Sequence, residues 1–444
     1  MKNIHCMVVT SSNISAAEWI APTPYPGVAA ARPNRMDALA VFLIGFAVFT
    51  MSMHVLRPGP VNVTVSDAAI GGCMIALMLR HRINATPFAR STFFWCFGLT
   101  LMLGGLLVSS IANGDPLRWI IIAGQYAFAW LLLPMVFFSL SSGQMRRCML
   151  WFVYGVAASQ AFALAISAFL PVSTLKSLFG PGFLAGNGRL GALTGESNWN
   201  GAVIAFALPM LISCLHYKLI GRISAAICTV FLGWGLIACA SFTGFGAALL
   251  AVMITLGLSN PRRLFKIGLP LAGLVIGYLV SGLPLPAIFQ QRVAGALTSG
   301  DLSSAGTFEG RAMLIAEAWK LSEQTIFLGF GADRYREVSE FGAPVHQFLL
   351  LILTEGGAVA LAGLLVMLSI LWVIALKSLK IDRQGGATAV AVLTVFCIFT
   401  TAVPHMYTRL WIGPVLMALA AVGRVQQRWA VAERPRNPGG ENWL

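Results

Sequence analysis

Charge is what this chain has least of. Only 10% of its 444 residues are charged, against about 25% in soluble domains, and just 16 are acidic. A chain so poor in charge cannot clothe a water-facing globule. The eight cysteines are scattered, most of them inside apolar runs, with no CxxC pair. Spacing therefore excludes a zinc site or a disulfide framework. No glycine-rich phosphate loop opens a helix in a polar segment, which argues against an ATP-driven machine. Residues 1–36 lack the basic-then-apolar profile of a signal peptide and read as a cytosolic tail, as do residues 424–444. No convincing internal repeat is present.

What the chain does have is hydrophobic length: 57% of its residues are apolar. From residue 37 to residue 423, apolar stretches recur, each suited to crossing the ~30 Å of hydrocarbon that takes about 20 helical residues. They do not alternate with period two, and backbone groups in lipid must be satisfied internally, so they read as helices rather than barrel strands. The fold class is thus an all-α polytopic integral membrane protein with about twelve transmembrane helices. Their expected centres lie near residues 47, 70, 101, 128, 159, 208, 231, 249, 276, 366, 395 and 416. With both termini inside, inner segments collect twenty of the thirty basic residues, among them Arg80, Arg82, Arg146, Arg147, Arg262, Arg263, Lys377 and Arg383. The positive-inside rule then places both termini in the cytoplasm. The net charge of +14 reports this bias and attraction to anionic lipid, not a nucleic-acid partner.

Two longer outer loops stand out, about 171–198 and 286–345. The first is rich in Gly, Pro and Asn and reads as turns, with Ser197-Asn198 as an N-cap for a helix starting at Trp199. The second holds seven of the sixteen acidic residues together with Arg292, Arg311, Lys320, Arg334 and Arg336. Connections between membrane helices are usually short, so a long polar one is a functional candidate. Within it, Leu314, Ile315, Ala318, Trp319 and Leu321 recur at helical spacing and predict a short amphipathic helix over Arg311–Glu323. Arg311 in its first turn sits at the wrong end of the helix dipole unless an anion lies nearby.

These pieces, taken in order, resemble a family. They are Gly188-Arg189-Leu190-Gly191-Ala192-Leu193-Thr194-Gly195 with Asn198 or Asn200, then Gly310-Arg311 and Leu328-Gly329-Phe330-Gly331, then His346 and Glu355-Gly356-Gly357. Together with the twelve-span plan and one large periplasmic loop, they look like the O-antigen ligase and O-antigen/exopolysaccharide polymerase superfamily. The resemblance covers most of residues 37–423. Two positions depart from it: Phe242 stands where relatives often carry Arg, and Gln347 follows the His where many polymerases carry Asn.

The resemblance implies an inner-membrane enzyme with its active site facing the periplasm. It would move a glycan from an undecaprenyl-diphosphate donor onto an acceptor, with inversion and with neither a metal nor another cofactor. The acceptor would be lipid A–core for a ligase, or a second lipid-linked repeat for a polymerase; Gln347 leans toward ligase. A departing diphosphate needs positive charge, and guanidinium forks match phosphate oxygens. Arg189 and Arg311 are the expected catalytic arginines, with Arg292 as a further substrate contact. For any single outer arginine the alternative is a solvated or snorkelling side chain. His346 would accept or position the acceptor proton, whereas His405 reads as structural.

Trp319, Trp199 and Tyr335 are candidates for stacking on sugars, against an ordinary interfacial aromatic belt. A span beginning at His346 would bury Glu355 ~13 Å deep, but Gly356–Leu376 alone suffices to cross. Glu355 is therefore expected at the outer interface, paired with an active-site arginine. Asp67 reads as a structural helix–helix contact. The rival class is a transporter or flippase, which would place its ionisable groups at mid-membrane. A noncatalytic scaffold would tolerate loss of Arg189, Arg311 and His346.

Overall fold

The computed structural model describes residues 35–57, 63–185, 187–281, 285–295 and 308–422. The two expected tails lie outside these residues, apart from Arg35 and Met36 in the first helix. Eight helices are long and apolar enough to cross a membrane: α3 (Ser91–Asn113), α4 (Pro116–Phe137), α5 (Ser142–Phe169), α7 (Ser197–His216), α8 (Arg222–Cys239), α9 (Phe242–Ser259), α13 (Phe348–Ser378) and α14 (Arg383–Thr400). The other four expected positions hold shorter helices, α1 (Arg35–Thr50), α2 (Val65–Leu79), α10 (Leu269–Val280) and α15 (Arg409–Ala421). Among the described residues the only β pairing is an isolated bridge between Leu184 and Leu190. The molecule is an all-helical, membrane-embedded bundle.

Three shorter helices decorate one end: α6 (Val172–Phe179), α11 (Phe308–Ser322) and α12 (Tyr335–Val338). The amphipathic helix expected over Arg311–Glu323 is α11. The helix expected from Trp199 begins two residues earlier, because the Glu196 carboxylate, not Ser197-Asn198, accepts the Trp199 N–H at 2.7 Å. Helix α8 closes on Ala240 in a left-handed turn, and Ser241 caps α9 by accepting from Gly244.

Alternation of the helices sorts the connections onto two ends. One end carries Arg80, Arg82, Arg146, Arg147, Lys377 and Arg383 and is tied by polar contacts. Arg146 donates to Asp382 at 2.9 Å and to the Ala421 carbonyl at 3.1 Å, while Tyr217 donates to Asp382 at 2.6 Å. The opposite end carries both long loops. Near it, Asp67 completes a capping box with Thr64 and pairs with Arg409, joining α2 to α15. Both members are more than nine-tenths buried, so loss of either would strand a charge.

Helix α13 is not continuous. Gly357 is non-helical at φ 72°, which frees the carbonyls of Thr354 and Glu355 and the amide of Ala358. The outer loop supplies partners: Phe330 N–H donates to Thr354 O at 2.9 Å and Gly331 N–H to Glu355 O at 2.9 Å. In return, Ala358 N–H donates to Ile326 O at 2.8 Å. The two glycine-bearing stretches, Leu328-Gly329-Phe330-Gly331 and Glu355-Gly356-Gly357, are thus halves of one joint. Helix α3 closes it, with Ser109 and Ser110 accepting from Gly329 and Ala332, and Asn113 donating to Gly329 O.

The joint leaves no room for side chains at its centre. A Cβ on Gly329 would lie 2.1 Å from the Glu355 carbonyl carbon. Gly329→Ala is therefore expected to cost about 1–3 kcal/mol by overpacking, read as a lower melting temperature of the detergent-solubilised protein. An unchanged melting temperature would contradict the joint.

Candidate functional site

The first loop places Arg189. Its backbone is positioned by Leu190 N–H donating to the Ala238 carbonyl at the end of α8 and by Asn200, whose amide donates to Leu190 O at 3.1 Å. Asn200 also exchanges hydrogen bonds with Gln160 of α5, at 2.6 and 3.0 Å, so it fixes the loop. The Arg189 guanidinium donates to the Cys239 carbonyl at 3.0 Å and to Asn198 Oδ1 at 2.8 Å, and the Ser241 hydroxyl donates to that same oxygen. Of the two asparagines considered from sequence, Asn198 faces the arginine and Asn200 holds the scaffold.

Arg311, on the first described turn of α11, and Arg292, from the short helical stretch Gln290–Ala294, line a cavity of about 820 Å³ with Asn198. Arg189, Arg292 and Arg311 lie close enough for their charges to act on one another. Burial, then Arg292, pulls the Arg189 guanidinium below its ordinary value, with Glu196 opposing. Burial alone lowers Arg292. Burial lowers Arg311, opposed by Glu196 and reinforced by Arg292. Among the described residues Glu196 is the carboxylate that acts on Arg189 and Arg311, and the gathered guanidinium groups would attract an anion entering the cavity. Glu196 supplies part of the negative charge that the α11 N-terminal turn requires.

His346 joins this group. It is half-buried and held below the ordinary histidine value, first by burial and then by Arg311, with the Ala402 backbone opposing them. A histidine held below its ordinary value favours the neutral form near pH 7, and a neutral imidazole keeps one nitrogen able to accept a proton. Gln347, the residue after it, spends its amide as the N-cap of α13, accepting from Leu350 N–H.

The remainder of the cavity is mostly apolar, with Thr243 and Thr401 as the polar exceptions. Phe242, Gly246, Ala247 and Leu250 run along α9 on one side; Ile315 and Trp319 of α11 form another wall. Trp319 is exposed and edges the cavity. From Phe242 to Leu250 the wall extends ~12 Å along the helix. A Cβ added at Gly246 would meet nothing within 4 Å, so the wall is open there. Phe242, at the position expected to lack an anion contact, contributes to this apolar wall.

Glu355 lies elsewhere. It is buried, 2% exposed, and its carboxylate accepts the backbone N–H groups of Asp333 at 2.9 Å and Tyr335 at 3.4 Å instead of pairing with an arginine of the cavity. The reason is the break at Gly357, which turns the carboxylate toward the loop seated in it. Tyr335 is likewise structural, fully buried with its hydroxyl donating to Glu317 at 2.8 Å.

Sequence reasoning missed Asp333. This residue sits at φ 60° and receives Arg118 Nε at 2.7 Å and Arg336 at 2.9 Å, with His405 3.5 Å away. Burial alone would raise the Asp333 carboxyl, but His405 and Arg118 outweigh it and hold it below its ordinary value. A sequence separation of 215 between Arg118 and Asp333 leaves no local signal for the pairing.

Among the described residues no group of three or more His, Cys, Asp or Glu side chains is arranged to hold a metal ion. No family model matches this chain, and no curated protein does.

Glu355→Gln removes one carboxylate oxygen from the backbone of the loop. It is expected to speed amide exchange at Asp333 and Tyr335 about tenfold, a change of about 1.4 kcal/mol. Exchange that stays at the wild-type rate would remove Glu355 from this role.

Proposed function

We propose that the chain is a membrane glycosyltransferase of the O-antigen ligase type, moving a glycan from undecaprenyl diphosphate to an acceptor glycan. The observation that carries this reading is the two-part character of the 820 Å³ cavity, with Arg292 and Arg311 beside an apolar wall along α9. Arg189 reaches the same place through Asn198. A lipid diphosphate has the same division, an anionic head on an apolar chain. The ionisable groups gather toward the two ends of the bundle, with the arginine cavity at the end that carries the long loops, which favours surface chemistry over mid-membrane transport. The biased distribution of Lys and Arg supports an inner-membrane placement with both termini in the cytoplasm and the cavity facing the periplasm.

In the proposed step the acceptor hydroxyl attacks the anomeric carbon from the face opposite the diphosphate. Its oxygen forms the new C–O bond and its proton passes to His346. The old bond to the diphosphate breaks, and undecaprenyl diphosphate leaves with the electron pair. Arg189, Arg292 and Arg311 face the charge that develops on it, a stabilisation that grows along the reaction coordinate. A neutral His346 suits the proton transfer.

Transfer in proteoliposomes containing EDTA tests the reading, with a glycan on undecaprenyl diphosphate as donor and either lipid A–core or a second lipid-linked repeat as acceptor. Arg311→Ala is expected to lower kcat about 100-fold or more, and His346→Ala to lower it by about 10²–10⁴-fold. Product on lipid A–core defines a ligase and elongation of the repeat a polymerase. No transfer from folded protein to either acceptor would remove the glycosyltransferase reading.

The pH profile provides a separate check. Because His346 must be neutral to accept a proton, kcat/KM is expected to rise with pH through an apparent pKa below 6.5 and then level. In His346→Ala that rising limb should be absent; a limb that persists would assign it to another group.

A further inference from the structure

A second cavity, of about 490 Å³, lies on the other side of the α7 N-terminus and within the usual size of small-molecule sites. Its lining includes His54, Glu196, Trp199, His405, Tyr407 and Thr408. Glu196 and Asn198 are neighbours on one turn, joined by a 3.0 Å hydrogen bond, yet Glu196 lines this cavity and Asn198 lines the arginine cavity. One turn of helix is therefore the partition between two chambers.

The chemistry of the second chamber differs from that of the first. Trp199 is locked edge-on against His54 and Trp411, with ring centroids 5.4 and 5.8 Å apart, and Tyr407 meets Tyr126 edge-on at 5.7 Å. Fixed aromatic rings offer flat apolar surface at little entropic cost. Around them the polar groups have spare capacity. The Glu196 carboxylate spends two of its roughly four acceptor sites on Asn198 and on Trp199 N–H. Thr408 Oγ1 and His405 Nδ1 are buried with no hydrogen-bond partner among the described residues. Thr408 is 4% exposed, and such a group is costly to leave unpaired.

The ligand these groups favour is neutral. Burial and the neighbouring Arg409 and Arg57 push His54 down to about 4, so it brings no positive charge at neutral pH. The lining carries one carboxylate, Glu196, and one guanidinium, Arg57, which offset each other and leave no net charge from this pair to select a charged ligand. A sugar ring fits: its C–H faces are apolar, and its hydroxyl rim both donates and accepts.

We propose that this second cavity binds a sugar ring of the acceptor glycan, with Trp199 and Tyr407 against its faces and Glu196, His405 and Thr408 on its hydroxyls. The role as acceptor site rests on the reading of the arginine cavity as the donor site. Sugar binding as such does not. A ring held here lies across a single helical turn from the arginines, which is where an attacking hydroxyl must arrive.

Saturation-transfer NMR on the full chain in nanodiscs tests the proposal, using the methyl glycosides of glucose, galactose and N-acetylglucosamine as probes. Thr408→Val is the informative variant, because replacing an unpartnered buried hydroxyl by a methyl group should leave the melting temperature unchanged or raised. At least one glycoside should receive saturation in the wild type and in Arg311→Ala, and at least fivefold less in Thr408→Val. In the transfer assay Thr408→Val should raise the KM for acceptor about tenfold with kcat little changed. No saturation of any glycoside would overturn the proposal. So would saturation kept in Thr408→Val and lost in Arg311→Ala, which would put the sugar in the arginine cavity. Undecaprenyl diphosphate binding, measured on the same samples, separates the two readings. Retained glycoside saturation without lipid-diphosphate binding would support the sugar site while removing the donor assignment.

Discussion

A helix interrupted inside an apolar bundle leaves carbonyl and amide groups without partners, and water is not there to take them up. At Gly357 those groups are met by the backbone of Ile326–Gly331, seated between the broken turn and the end of α3. The rest of the outer end depends on this exchange. It anchors the long loop at a fixed depth, so that α11, which precedes the joint, delivers Arg311. The segment that follows returns through Asp333 and Tyr335 to His346. The buried carboxylate of Glu355 belongs to the same device, since its two oxygens hold the backbone just past the joint. An unpaired carboxylate in that position would be expensive; here it is satisfied by N–H groups.

The arginine cluster illustrates the opposite economy. Arg189 donates to a carbonyl and to an asparagine oxygen, which hold it in place. Arg292 and Arg311 line the cavity, and Arg292 acts on both Arg189 and Arg311 to disfavour their charged forms. Cations held near one another by a scaffold favour an arriving anion. Rigidity comes from the polar lattice of Gln160, Asn200 and Ser241 around the α7 N-terminus, so the binding of a diphosphate would require little reorganisation.

Much of the fold was legible in the sequence because hydropathy and the Lys/Arg distribution are strong, local signals. All twelve expected positions hold a helix, eight of them long and apolar enough to cross. The helix carrying Arg311 followed from apolar spacing alone. Of the six site residues expected from the sequence, Arg292, Arg311 and Trp319 line one cavity, Arg189 reaches it through Asn198, and His346 lies within electrostatic reach of Arg311, while Glu355 does not join them. Glu355 was misjudged for a definite reason. Its partners are backbone amides some twenty residues away, and backbone groups carry no sequence identity to read. Asp333 and Thr408 escaped notice similarly, since each acquires its meaning from segments far off in the chain.

The central claim is that the arginines at the head of the α9-lined cavity receive a lipid-linked diphosphate. Cryo-electron microscopy of the protein in nanodiscs, with and without undecaprenyl diphosphate, addresses it most directly. The account predicts diphosphate density within hydrogen-bonding distance of Arg292 and Arg311, with the prenyl chain descending past Gly246 and Leu250. Lipid density bound elsewhere on the bundle, with this cavity unchanged at saturating ligand, would contradict it.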